Sequence, residues 1–208
     1  KQWVNSKDGF MGSWSIDINS IEKSYESLQI GASVAILDSF SAVKSLALPS
    51  HSWTNAGQII REGFVVKWPN DIFLNLKSRF AKLGGVLAES RSKGAETRLA
   101  IGIGLNRYGP DIDVETAGWN DVIGLNSMTN ELLFPILHAS MSSIFEMHPL
   151  VRDSKFEDIL STHYNLMRES YYYGKSSGLD ALGLNQKGHL LTRGGVIESP
   201  SDLAWHWD

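Results

Sequence analysis

The 208-residue chain reads as an α+β protein: a mixed, largely antiparallel sheet packed with helices, then a small β appendage. Three observations predict this. Four short apolar or alternating runs lie between residues 63 and 105, joined by connections too short for crossover helices. Helix-period stripes flank that block on both sides. Past Tyr171-Tyr172-Tyr173-Gly174 the pattern changes to brief β-like pieces set between glycines.

The first helix is read over residues 24–43, where Leu28, Ala32, Ala35, Ile36, Phe40 and Val43 recur at helical spacing. Its stripe is rich in small residues, which suits close packing on a sheet. Pro49 closes the stretch that follows. Strands are expected at 63–68, 72–76, 83–89 and 98–105, with Ser92-Lys93-Gly94 as a hairpin turn, so the four should form an antiparallel meander. Residues 107–124 carry Gly, Pro, Asp and Asn without periodicity and are expected to form a surface loop.

A second helix is marked by Leu132, Leu133, Ile136, Leu137, Met141, Ile144 and Phe145. Pro135 must lie in its first turn or kink it. A third helix places Phe156, Ile159, Leu160, His163, Tyr164 and Met167 at i, i+3, i+4, i+7, i+8 and i+11. In the appendage, Leu182-Gly183-Leu184 and His189-Leu190-Leu191 flank Asn185-Gln186-Lys187-Gly188 as a hairpin, with Gly194-Gly195-Val196-Ile197 after it. The boundary is set at residue 172, giving a main domain over 1–171 and a small β domain over 172–208.

Composition narrows the function classes. Apolar residues make up 42% and aromatics 10%, enough for a sizeable core and unlike a disordered chain. The net charge of −4 comes without any basic run, so a nucleic-acid partner is not indicated. There is no apolar stretch of membrane length and no signal-peptide pattern, and the expected setting is soluble and cytoplasmic. The absence of cysteine excludes disulfides, thiolate metal sites and a cysteine nucleophile in this segment. The six histidines never fall at close metal-ligand spacing, so no metal site is expected of them. No Walker-type loop or GxSxG elbow occurs.

Chemistry-bearing residues collect in one region. In the strand Leu99-Ala100-Ile101-Gly102-Ile103-Gly104-Leu105, the large side chains face one way and Ala100, Gly102 and Gly104 the other. Glycine weakens a strand unless something must approach closely. That something is either a flat ligand on the bare face or a helix packed tightly there. Lys67-Trp68-Pro69-Asn70-Asp71 ends another strand in a turn fixed by proline. Asn and Asp there are ordinary turn residues, and Trp68 an ordinary core aromatic. Lys82 before Gly84-Gly85 has an equally plain reading as a solvated lysine at a strand end. The conjunction is more specific than its parts: two lysines, an amide and a carboxylate gather at adjacent strand ends beside a glycine-lined face.

The set Lys67-Trp68-Pro69-Asn70-Asp71, then Lys82-Leu83-Gly84-Gly85, then Gly102-Ile103-Gly104-Leu105-Asn106 resembles the catalytic core of the biotin protein ligases. The resemblance implies a class II synthetase-like ligase core. It also implies an activity: biotin and ATP, with Mg²⁺, give biotinyl-5′-adenylate, and biotin then passes to a lysine of a biotin carboxyl carrier domain, as of acetyl-CoA carboxylase or a related carboxylase. Joining two anions needs cations to offset their repulsion and the charge developing at phosphorus. The resemblance gives that part to Lys82, touching the biotin carboxylate and the α-phosphate. It gives Asp71 a catalytic part, orienting or deprotonating the incoming lysine or acting through Mg²⁺. Gly84, Gly85, Leu87, Gly102 and Gly104 match positions along which biotin lies. Asn70, Asn106, Lys67 and Trp3 match the adenylate side.

Trp3, Ser6 and Gly9 resemble the family's W-x-S-P-x-G, with one extra residue and Lys7-Asp8 where proline is usual. Residues 182–190 resemble the start of the family's small SH3-like C-terminal domain. The family's Arg/Gly-rich loop, GRGRxGR, precedes its tryptophan, whereas this sequence opens at Lys1-Gln2-Trp3. The expectation is that the sequence belongs to a longer protein carrying that loop. The alternatives are a binding homologue impaired in catalysis and a lipoate or octanoate transferase on a related scaffold. Against the latter, octanoyl transfer commonly uses a cysteine. The sheet-edge dimers of some relatives also leave a homodimer open.

Overall fold

The structure, a computed structural model, describes residues 8–19, 25–47, 63–76, 80–94, 96–109, 116–122, 125–147, 181–185 and 187–199. Trp3, the helix expected over 156–167 and the boundary at 172 lie outside them. In chain order the elements are β1 (Phe10–Asn19), α1 (Tyr25–Ala47), β2 (Phe64–Lys67), β3 (Asp71–Asn75), β4 (Phe80–Lys93), β5 (Glu96–Leu105), a 3-10 turn (Trp119–Asp121), α2 (Asn130–Met147), β6 (Ala181–Leu184), β7 (Leu190–Thr192) and β8 (Gly195–Ile197).

The main sheet has five strands in the order β1-β5-β4-β3-β2, and every neighbouring pair is antiparallel. The expected meander is therefore present as β2 to β5. Among the described residues, parallel pairing is confined to one bridge, Lys82 with Thr116. β1 was not anticipated. It closes the sheet beside β5, with Phe10 opposite Leu105 and Asn19 opposite Glu96. Its signal is a period of two: Phe10, Gly12, Trp14, Ile16 and Ile18 alternate with Met11, Ser13, Ser15, Asp17 and Asn19. Gly12 and the serines thin that signal.

One face of the sheet is the core face. Leu99, Ile101, Ile103 and Leu105 of β5 join Leu28, Ala32, Ala35, Ile36 and Phe40 of α1 and Leu133, Leu137, Met141 and Ile144 of α2 in one buried cluster. The small residues of α1 let it lie close to its neighbours. Its buried hydroxyls are satisfied within the helix, Ser39 donating to the Ala35 carbonyl at 2.6 Å and Ser33 to that of Gln29 at 3.0 Å.

α2 starts after Thr129, whose carbonyl accepts from the Leu133 N–H at 2.9 Å. Pro135 stands inside the helix, past its first turn, which leaves the second of the two expected alternatives, a kink. Lacking an N–H, it leaves the Glu131 carbonyl without an i+4 donor, and it is tolerated on the exposed side.

The stretch expected to be a surface loop departs most from expectation. Ala117 and Trp119 are fully buried, with Val122 and Leu125 in the same cluster. Its apolar residues pack without repeating, so periodicity could not reveal them. The expected hairpin near the C-terminus forms, β6 pairing with β7 and β7 with β8 in a second antiparallel sheet. Among the described residues no helix is long and apolar enough to cross a membrane.

Ile101 has no exposed surface, so Ile101→Ala should destabilise the fold by about 2–5 kcal/mol through lost transfer energy and a cavity. Ser15→Ala, on the exposed face of β1, should change stability by no more than about 0.5 kcal/mol. Urea unfolding of both variants checks the assignment of the two faces.

Candidate functional site

The site begins with a phase slip in β4. Ala81 and Leu83 belong to the core, and so do Val86 and, partly buried, Ala88. Side chains alternate along a strand, so odd and even positions cannot both point inward without an extra residue. The register shifts there: Ile72 is opposite Gly84, whereas Phe73 is opposite Lys82. Leu83 is the inserted residue of a β-bulge. Because of it, Lys82 lies on the side away from the core, shared with Gly85 and Leu87. A strand without the bulge would turn Lys82 inward.

On that outer side Lys82 meets Asp71, the first residue of β3, with Nζ 2.6 Å from Oδ1. Their side chains are 33% and 20% exposed, so the pair is neither solvated freely nor sealed. Lys67 is paired with Asp71 across β2 and β3, and Asp71 is paired with Gly85 across β3 and β4. A Cβ on Gly85 would stand 2.7 Å from the Asp71 carboxylate, so only glycine leaves that carboxylate in place. Between Lys67 and Asp71 runs a turn containing a cis Trp68–Pro69 bond. Asn70 ties it to β4: its amide nitrogen donates to the Val86 carbonyl at 2.5 Å, and its own carbonyl accepts from the Val86 N–H at 2.9 Å.

A bulge interrupts the ladder and leaves carbonyls to be satisfied elsewhere. The Asn106 backbone N–H donates to the Leu83 carbonyl at 2.8 Å. The Lys82 carbonyl accepts from the Ala117 N–H at 2.9 Å and from the Asn106 side chain at 3.4 Å. Ala117 is held in turn, because the Trp119 N–H donates to the Asn106 carbonyl at 3.0 Å and the Asp121 carboxylate accepts from the Gly118 N–H at 2.9 Å. A Cβ on Gly118 would collide with the Arg107 carbonyl, so glycine is required where this strap, residues 116–119, passes.

Beyond the ion pair extends the outer face, on which Gly85 and Gly104 are buried and Gly102 partly exposed, and which the described helices do not cover. Leu87 is opposite Gly102 and Gly85 opposite Gly104, while Ser13 and Met11 of β1 flank the same two glycines. A Cβ on Gly102 would meet only the Leu87 carbonyl, at 3.8 Å. Both described helices contribute to the core cluster on the opposite face, and Met11 and Leu87 are 58% and 39% exposed. Of the two readings of the glycine-rich strand, tight helix packing is not what the described elements do. A shallow, nearly bare surface ends at a cation and a carboxylate.

The expected residues thus sort themselves. Lys82, Asp71, Lys67, Gly85, Leu87, Gly102 and Gly104 share one face, with Asn70 at its rim. Asn106 stands behind, holding the backbone at Lys82. Gly84 is on the core side, opposite Ile72 and Leu105, where a Cβ would collide with the Gly104 carbonyl. Its part is in letting the strands meet at the bulge. Three features escaped the sequence: the strap over 116–119, the contribution of β1, and a bond from the Trp68 indole to the Gly188 carbonyl at 2.9 Å. For the bulge a signal existed, the change of apolar parity between Leu83 and Val86.

No family model and no curated relative matches the sequence. Solved structures do. The chain is 20% identical to biotin protein ligase from Leishmania major in complex with biotin, covering 96% of this chain and 82% of that one at a TM-score of 0.59. It is also 20% identical to biotin protein ligase from Aquifex aeolicus in complex with biotin and ATP, covering 96% and 78% at 0.57. A biotin protein ligase-like protein of unknown function from a Silicibacter species gives 0.62 at 13% identity, covering 93% and 80%. The fold is that of the biotin protein ligase catalytic domain.

Two glycines on neighbouring strands should respond oppositely to substitution. Gly84→Ala should lower stability by about 2 kcal/mol or more, since backbone must move. Gly102→Val, which meets open space and gains strand propensity, should change it by no more than about 1 kcal/mol. Thermal and urea unfolding of the pair decides it.

Proposed function

We propose that this chain, built on the fold of the biotin protein ligases, is an ATP-dependent biotin protein ligase. In this reading it makes biotinyl-5′-adenylate and transfers biotin to a lysine of a biotin carboxyl carrier domain. The observation that carries the reading is the Lys82–Asp71 pair, 2.6 Å apart, at the end of a glycine-lined sheet face that neither described helix covers. Biotin, flat and largely apolar, lies along Gly85, Leu87, Gly102 and Gly104 with its carboxylate toward Lys82. The ammonium then stands between two anions, the carboxylate and the α-phosphate, and offsets their repulsion.

In the first step a carboxylate oxygen bonds to the α-phosphorus and the bond to the bridging oxygen breaks, releasing pyrophosphate. In the second, the acceptor amine bonds to the acyl carbon, AMP leaves with the electron pair, and the amine loses a proton. Asp71 suits that last part. It is a carboxylate on the same face, held in orientation by Lys82 and by the contact with Gly85. Asn70, Lys67 and Trp3 take the adenylate side. Asn106, bonded to the Lys82 carbonyl, acts through the backbone as much as through any ligand. Mg²⁺ would arrive with ATP. Its ligands would be mostly phosphate and water oxygens, with Asp71 as one protein oxygen. The cytoplasm, where ATP and carrier domains meet, is the proposed location.

Biotin-dependent ATP–pyrophosphate exchange tests the reading. The protein should exchange, and Lys82→Ala and Asp71→Ala should each lower biotinyl transfer to a carrier domain by about 100-fold or more while melting as the parent does. Turnover near the parent's in either variant removes that residue from the mechanism. Gly102→Val should fold normally and lose biotin binding measured by calorimetry. Biotin binding without any exchange would make the protein a binding homologue instead.

A further inference from the structure

We infer that the turn at Asn185–His189 is a positioning element for the Lys82–Asp71 site, acting through the indole of Trp68; this rests on the ligase reading of that site. Trp68 is 1% exposed, yet it stands outside the central apolar cluster. Its Nε1–H donates to the Gly188 carbonyl at 2.9 Å, across 120 residues of chain, in a buried bond. A buried indole N–H requires a partner, and here the partner is presented by a turn built for it. Asn185 Oδ1 accepts from the Lys187 and His189 N–H groups, each at 2.9 Å. The Asn185 carbonyl accepts from the Gly188 N–H at 2.8 Å, and its own N–H donates to the His189 carbonyl at 3.0 Å. Gly188 has φ 83°, a left-handed conformation natural to glycine, and Gly188, His189 and Leu190 are buried.

The consequence follows from where Trp68 sits. It lies between Lys67, the last residue of β2, and the Pro69-Asn70 pair that leads into Asp71. From the β4 side the turn is held by the two Asn70–Val86 bonds. From the other side, the bond to Gly188 is the anchor the described residues supply. Held at both sides, the turn sets the direction from which the Asp71 carboxylate approaches Lys82. Loosened at Trp68, it would still fold but would present Asp71 over a wider range of positions, and a displacement of about 1 Å can lower a rate by as much as about 100-fold.

The experiment uses Trp68→Phe, Asn185→Ala, their combination and Asn185→Asp, all in the full chain. The first removes the indole donor and keeps an aromatic ring; the second releases the turn. The last keeps an oxygen where Oδ1 accepts. Hydrogen exchange should quicken at the Val86 amide, which bonds Asn70, in both Trp68→Phe and Asn185→Ala, and stay unchanged at Leu99 and Ile101 of β5. In biotinyl transfer to a carrier domain, kcat should fall about tenfold in each with KM for biotin within about twofold. The double variant should fall no further than the single ones, and Asn185→Asp should restore most of the loss. Additive losses, or protection at Val86 unaltered in both single variants, would overturn the inference. Absence of exchange activity in the parent protein counts against the ligase reading alone, and the hydrogen-exchange comparison then decides the anchor.

Discussion

One inserted residue in β4 governs the rest of the site. The sheet needs Ala81 and Leu83 inside at one end of the strand and Val86 and Ala88 inside further on. A regular strand would satisfy only one of these pairs. The bulge at Leu83 satisfies both, and its by-product is a lysine turned out of the core next to a carboxylate from β3. Core packing therefore enforces the position of Lys82. Any rearrangement that removed the bulge would bury an ammonium or expose leucine and valine. Either is worse by several kcal/mol. The tandem glycines belong to the same device: Gly84 lets the strands approach on the core side, and Gly85 makes room for Asp71 on the other.

A bulge also loosens the strand that contains it, and the molecule answers with bonds from distant segments. The N–H of Asn106, just past β5, donates to the Leu83 carbonyl, and the Ala117 N–H of the strap donates to that of Lys82. The strap is fixed by the buried Trp119, whose indole donates to the Met128 carbonyl at 3.3 Å. Polar atoms at the bulge thus find partners in segments that themselves have little choice of position. Rigid support of this kind is what a site on strand ends needs if its geometry is to hold without a ligand.

Much of this was legible in the residues. The four central strands and both described helices follow from apolar periods, the hairpin was legible in Ser92-Lys93-Gly94 although Ser92 and Lys93 are still paired strand residues, and the bare face follows from Gly102 and Gly104 alternating with Ile101, Ile103 and Leu105. The grouping of Lys82 with Asp71 was readable as a motif, but not its geometry, because nothing local to Lys82 says which way a strand with a phase slip will point. β1 hid behind a glycine and two serines. The strap over 116–119 hid because it packs through Ala117, Trp119 and backbone bonds, which have no period. The contact from Trp68 to Gly188 is non-local, and a sequence contains no sign of it until the chain has folded.

The ion pair itself carries a physical tension. Lys82 and Asp71 face one another at 2.6 Å beside the glycine stretch, with Lys67 next to them and the other charges of the outer face, Glu89, Arg91, Arg98 and Asp17, further along the strands. Without a ligand, each is the other's counterion, which keeps a half-buried ammonium and a half-buried carboxylate from standing alone. An incoming anion competes with Asp71 for Lys82 and can do so without displacing any apolar packing, because both groups stand outside the core cluster. The same pairing thus holds the Lys82 ammonium against the Asp71 carboxylate, at the edge of the glycine surface. The carboxylate it releases is then left beside the ligand, where a base is useful. A site assembled from two strand ends and one bulge can in this way be both folded without its ligand and ready for it.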